Sequence, residues 1–212
     1  MSARDNILGR IRTALGRMPG EGIAPRPSFD LQIPSLPDRT ALFCERFEAL
    51  AGKPHLAADP SAALETVKAI CNGRSAVAAD HPLLAETGIL NLEGVEHSFP
   101  DAAAQREACA LCDIGISSAT YSLADTGTMV MFAKPSEPRL VSLLPPIHVA
   151  LIPASSILAG LEDLLTRVAD PAAYSSSMVL ITGPSRTADI EQILIRGVHG
   201  PGEVHAVVLT YC

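Results

Sequence analysis

The segment Val179-Leu-Ile-Thr-Gly-Pro-Ser-Arg-Thr-Ala-Asp-Ile190 limits the fold more than any other, because an apolar run stops abruptly at a Gly-Pro-Ser turn. The run predicts a buried strand, and the turn predicts a helix that opens near Ser185. A helix start leaves backbone N–H groups without partners at the positive end of the helix dipole. Gly183, Ser185, Arg186 and Thr187 therefore form a candidate anion cradle. Gly183 permits the tight bend, while Pro184 forfeits a donor. The plainer alternative is that Ser185 or Thr187 caps its own helix, although no Glu or Gln completes a capping box. Asp189 suits a first helical turn but repels an anion, which places any anion nearer Ser185 and Thr187.

A chain of 212 residues, 48% of them hydrophobic, fills one main core with room for a small appendage. A net charge of −7 with scattered Lys and Arg argues against a nucleic-acid surface. Apolar stretches are broken by Pro, Ser or Gly before they reach membrane-spanning length, and the N-terminus mixes Arg and Asp without an apolar signal core. The expectation is a cytoplasmic protein with no membrane span. The five cysteines, at 44, 71, 109, 112 and 212, are too scattered for a secreted disulfide framework. Cys109 and Cys112 have the spacing of half a metal or redox site, but no second pair completes it, and their Ala-rich surroundings favour packing. Neither a metal site nor an iron–sulfur cluster is expected in this chain.

Residues 2–17 place Ile7, Leu8, Ile11 and Leu15 at helical spacing among four arginines, which predicts an amphipathic helix. A Pro- and Gly-rich stretch follows, so residues 1–37 read as a helical arm with an extended connector, and 38–212 as one α/β domain. The arm either folds back on that domain or docks on another subunit. Asp38 is the expected N-cap of a helix to about Ala51. Pro60 starts a second helix through Ile70, and 75–79 reads as a buried strand. A short helix at 82–86, a strand at 95–99 and a helix at 101–111 continue the alternation, which predicts a mostly parallel Rossmann-like sheet. Short strands are expected at 121–124, 129–132 and 139–144, forming an antiparallel hairpin insertion. An apolar strand at 147–152, a helix at 158–168 and a last strand at 204–210 complete the pattern.

Polar groups beside turn residues occur at Asp125-Thr126-Gly127-Thr128, at His148, at 183–189 and at Val198-His199-Gly200-Pro201. Ligands of open α/β sheets collect outside the carboxyl ends of strands, where such junctions converge. Asp125 is the candidate catalytic carboxylate, as nucleophile or base, or simply a turn former. His148 lies in an apolar strand as a core histidine or a ligand contact, and His199 lies where backbone approaches a ligand closely. No paired-His metal spacing, Gly-x-Ser-x-Gly elbow or Gly-x-x-x-x-Gly-Lys loop is found. The residues alone point to a small anionic ligand in an α/β domain.

Ala124-Asp-Thr-Gly-Thr128, Leu143-Leu-Pro-Pro-Ile-His-Val-Ala150, Thr182-Gly-Pro-Ser-Arg-Thr-Ala-Asp-Ile-Glu191 and Gly197-Val-His-Gly-Pro201, in that order, resemble the LUD domain of the lactate-utilization protein C family. The resemblance runs from about Asp38 to the C-terminus. It implies a fold of the sugar-phosphate isomerase and CoA-transferase type and a part in oxidising L-lactate to pyruvate. It also implies iron–sulfur partner subunits that carry the clusters this chain lacks. The rival implication is a stand-alone CoA or acyl transferase, or a phosphate-ester enzyme, built on a carboxylate in the Thr-Gly-Thr turn. Members of the family commonly carry Glu where this chain has Asp125, which is one methylene shorter.

Overall fold

The computed structural model describes residues 3–16, 35–168, 174–188 and 194–212. The chain divides into two compact units, Met1–Gln32 and Ile33–Cys212. The first holds α1 (Ala3–Leu15), which buries none of its residues. Its apolar stripe is open, with Ile7, Ile11 and Leu15 exposed by 59%, 48% and 60%.

The second unit begins with α2 (Leu36–Ala49), capped at Ser35 rather than at Asp38. Asp38 instead sits in the first turn and accepts a hydrogen bond from the Ser35 hydroxyl, a carboxylate near the positive helix end. Strand β1 (Lys53–Ala57) leads into α3 (Pro60–Cys71), whose N-cap Asp59 accepts from the amide of Ala62. Next come β2 (Ala76–Ala78), α4 (Pro82–Glu86), β3 (Val95–Glu96) and α5 (Ala102–Leu111). Asp101 caps α5 through the amides of Ala103 and Ala104. The chain continues through β4 (Ile114–Ser118), β5 (Tyr121–Leu123), β6 (Thr128–Phe132), α6 (Leu140–Leu143), β7 (Ile147–Pro153), β8 (Ile157–Leu158) and α7 (Leu161–Arg167). It ends with β9 (Met178–Ile181), β10 (Arg186–Ala188), β11 (Leu194–Arg196) and β12 (Glu203–Leu209).

The main sheet has the order β1-β12-β7-β4-β2-β3, and its pairs are parallel throughout. A smaller sheet, β8-β5-β6-β9, carries the antiparallel hairpin. Alternation along each main strand separates two cores. Ile116, Val149, Leu151 and Val207 pack with α3, whereas Ala150, Ile152, Ala206 and Val208 pack with Phe43 and Phe47 of α2 and Met129 of the smaller sheet. A third cluster, including Val130, Phe132 and Leu164, fills the space between the smaller sheet and α7.

Several elements differ from the sequence expectation. The 139–144 segment is not a strand: α6 is a single helical turn seated on β4, where a Cβ on Gly115 would stand 1.8 Å from the carbonyl oxygen of Val141. Only glycine lets that turn approach so closely. The apolar run at Val179 is a strand, but it pairs antiparallel with β6 in the smaller sheet. Beyond its turn the chain forms β10, antiparallel to β11, where a helix was expected. Asp189 lies outside the described residues.

Candidate functional site

The hairpin turn of residues 124–127 joins β5 to β6, and Gly127 takes the left-handed conformation there (φ 64°). A Cβ on Gly127 would lie 2.4 Å from the backbone nitrogen of Phe47, so the turn presses directly on the end of α2. The hydroxyls of Thr126 and Thr128 are 2.8 Å apart, and Thr128 lies 3.0 Å from the hydroxyl of Thr182. The expected meeting of the 125–128 turn with the strand end at 182–183 is therefore found, as a row of three hydroxyls. Asp125 is exposed and accepts from the Thr126 hydroxyl at 3.2 Å. A Cβ on Gly160, the N-cap of α7, would lie 2.6 Å from Oδ2 of Asp125, so the carboxylate lies against the start of that helix.

The expected anion cradle is built differently. With β10 in place of a helix, no row of free amides opens at Ser185: its N–H donates to the carbonyl of Pro201 at 2.9 Å, and its own carbonyl accepts from Gly197 at 3.0 Å. The Arg186 guanidinium donates to the carbonyl of Leu50, the C-cap residue of α2, where a cation offsets the negative helix end. Gly183 packs on the same carbonyl, 3.0 Å from where its Cβ would be. Thr187 belongs to β10, and its side chain lies outside the described set. His199 is exposed in the bend before β12, and its neighbour Gly200 lies against Ser185.

His148 stands apart from these groups. It is wholly buried on β7, on the face shared with Ala150, and its Nε2 is 2.8 Å from Oγ of Ser117 on β4. Its Nδ1 is buried with no hydrogen-bond partner. Burial pushes the imidazole pKa down to about 3, with a smaller contribution from His205, so His148 is neutral near pH 7. Ser117 and the adjacent Ser118, both buried, line a narrow recess beneath Arg139, Glu137 and Val179. The recess lies where β2 and β4 end. The chain runs from β2 outward to β3 and returns to β4 on the other side, and such a reversal is where open α/β sheets take ligands.

Sequence reasoning missed Ser117 and Ser118 because it did not recognise β4. The run Ile114-Gly-Ile-Ser-Ser118 after the α5 helix was the available signal. It also missed β1 and with it a ladder of ionisable groups. Lys53 Nζ is 2.5 Å from Glu203 Oε1, which is 2.7 Å from His205 Nε2. His205 Nδ1 is in turn 2.9 Å from His55 Nε2. No group of metal-ligating side chains is found among the described residues. Cys109 and Cys112 are buried in a small apolar cluster, and burial raises the Cys109 thiol to about 11. No described helix is long and apolar enough to cross a membrane.

Comparison with known proteins matches residues 40–209 to the LUD domain. A lactate utilization protein C from Exiguobacterium sp. is 39% identical over 110 residues, covering 50% of this chain and 48% of the relative. One from Geobacillus thermodenitrificans is 28% identical over 162 residues, covering 70% and 68%. The match to the Exiguobacterium protein thus spans about half of that relative's length. The crystal structure of a DUF162 family protein from Deinococcus radiodurans superposes with a TM-score of 0.64 at 15% identity, covering 84% of this chain and 99% of that one, which establishes the shared fold. With a match that runs from before β1 to the end of β12, the chain belongs to the LUD domain family.

Proposed function

We propose that this chain is a cytoplasmic, non-iron–sulfur component of a system that oxidises L-lactate to pyruvate. In this reading it binds a small anionic ligand or its partner subunits, and the iron–sulfur clusters reside in those partners. The observation that carries the reading is the LUD match over residues 40–209 together with relatives named lactate utilization protein C. The open apolar stripe of α1 supports a docking role for the arm, since such a stripe on a basic helix is suited to a partner surface.

Affinity purification of the tagged chain from lactate-grown cells tests the reading. Co-purification of cysteine-rich iron–sulfur proteins and loss of growth on lactate after gene deletion are the expected results. Normal growth on lactate after deletion would sink it. The rival transferase reading has less support, because the Asp125 carboxylate packs on Gly160 and is bonded to Thr126. Thioester turnover that disappears in Asp125→Ala would restore it.

A further inference from the structure

We propose that the recess at the ends of β2 and β4 seats the carboxylate of a small organic acid, with Ser117 and Ser118 as hydroxyl donors and Arg139 as the countercharge. The first ground is the hydrogen-bond arithmetic of the buried pair. A neutral imidazole carries one N–H, and His148 has one partnered nitrogen and one buried nitrogen without a partner. A buried N–H left unpaired is rarer and costlier than a bare lone pair, so the proton belongs on Nε2, donated to Ser117 Oγ. Ser117 then accepts from His148, and its own O–H is left to donate to an acceptor in the recess it lines.

The second ground is the company Ser117 keeps. Ser118, also buried and lining the recess, has no side-chain hydrogen bond among the described residues. Arg139 at the rim has no ion pair among the described residues and holds only a 3.4 Å contact to the Ser177 hydroxyl. The one acidic group in the lining, Glu137, is matched by Lys134 at 3.2 Å and faces His81 at 4.0 Å. Two uncommitted hydroxyls, an uncommitted guanidinium and apolar walls that include Met131 and Val179 suit a carboxylate on a short apolar body. The narrowness of the recess excludes bulky acids.

The seat rests on this geometry, while the choice of lactate and pyruvate as probes rests on the function proposed above. Calorimetric titration of the full chain with L-lactate, pyruvate and acetate, against lactamide and inorganic phosphate, is the test. Saturable binding of a carboxylate is expected, with lactamide silent and phosphate weaker. Arg139→Gln and Ser117→Ala should each weaken binding about tenfold or more. Should Ser117→Ala fail to fold, Ser118→Ala replaces it, because that hydroxyl supports nothing in the free protein. Absence of carboxylate binding, equal binding of lactamide, tighter binding of phosphate, or unchanged affinity in these variants would each overturn the seat. Carboxylate binding without a lactate growth defect would leave the seat standing and remove the lactate role. A growth defect without carboxylate binding would do the reverse.

Discussion

His55 Nε2 and His205 Nδ1 lie 2.9 Å apart, 150 residues distant in sequence, with their rings near-parallel across the β1–β12 pair. One proton serves that contact, so neither ring can be charged without disturbing the other. Burial lowers both pKa values, and for His205 it outweighs the opposing pull of Glu203.

This arrangement makes the fold acid-sensitive. The unfolded chain takes up protons at these histidines near pH 6.5, while the folded chain resists, most strongly at His148 with its pKa of about 3. Their contribution is fully present above pH 6.5 and declines as pH falls, by up to about 1.4 kcal/mol per pH unit for each excluded proton. Glu203, held low chiefly by its hydrogen bond to Lys53, adds a loss at more acid pH as it protonates. Urea-unfolding midpoints should be level from pH 7 to 8 and drop from about pH 6.5 downward. A midpoint unchanged down to pH 5 contradicts the account.

Phe47 is fully buried, stacked on Phe43 with ring centroids 5.6 Å apart, and its backbone receives the 125–128 turn. Phe47→Ala should cost about 3–5 kcal/mol in denaturant unfolding. A loss below about 1 kcal/mol would mean that the cavity collapses and the ring is not what α2 contributes.

Gly115→Ala places a methyl into the carbonyl of Val141, a backbone atom that cannot rotate away. Displacement of α6 and a loss of at least about 1–3 kcal/mol are expected. The same substitution should expose Cys109 and Cys112, whose cluster includes Val141, and so quicken their reaction with a thiol reagent. Unaltered thiol kinetics would show that α6 tolerates the shift.

Asp125→Ala removes a carboxylate that lies at the start of α7 without carrying the core. Its expected cost is about 0.3–1 kcal/mol, the value of a charge near a helix N-terminus, and growth on lactate should persist. Loss of growth with stability intact would assign this residue a chemical part.

The local features were legible because their causes are local. Pro60 after Asp59 and the Ala run after Asp101 start α3 and α5 where capping rules put them, and the spacing of Ile7, Ile11 and Leu15 specifies α1. The Asp125-Thr-Gly-Thr128 turn was readable from its glycine, and the β7 and β12 strands from their apolar runs. The elements that escaped are those whose state depends on partners far along the chain. The Val179 run was legible as a strand, but its place in the smaller sheet is decided by β6. The 186–188 segment is extended because β11 pairs with it, and 140–143 curls into a helical turn because Gly115 makes room.

By itself, then, the amino-acid order determined the α/β alternation, the separate amphipathic arm, the hairpin turn and the family motifs, all properties of short windows whose dihedral preferences and periodicities need no partner. Tertiary structure alone decided which strands share a sheet, that Arg186 is used on Leu50, and that His148 meets Ser117 while His55 meets His205. Those meetings depend on strand register, and register follows from burying one face of each strand against elements many residues away.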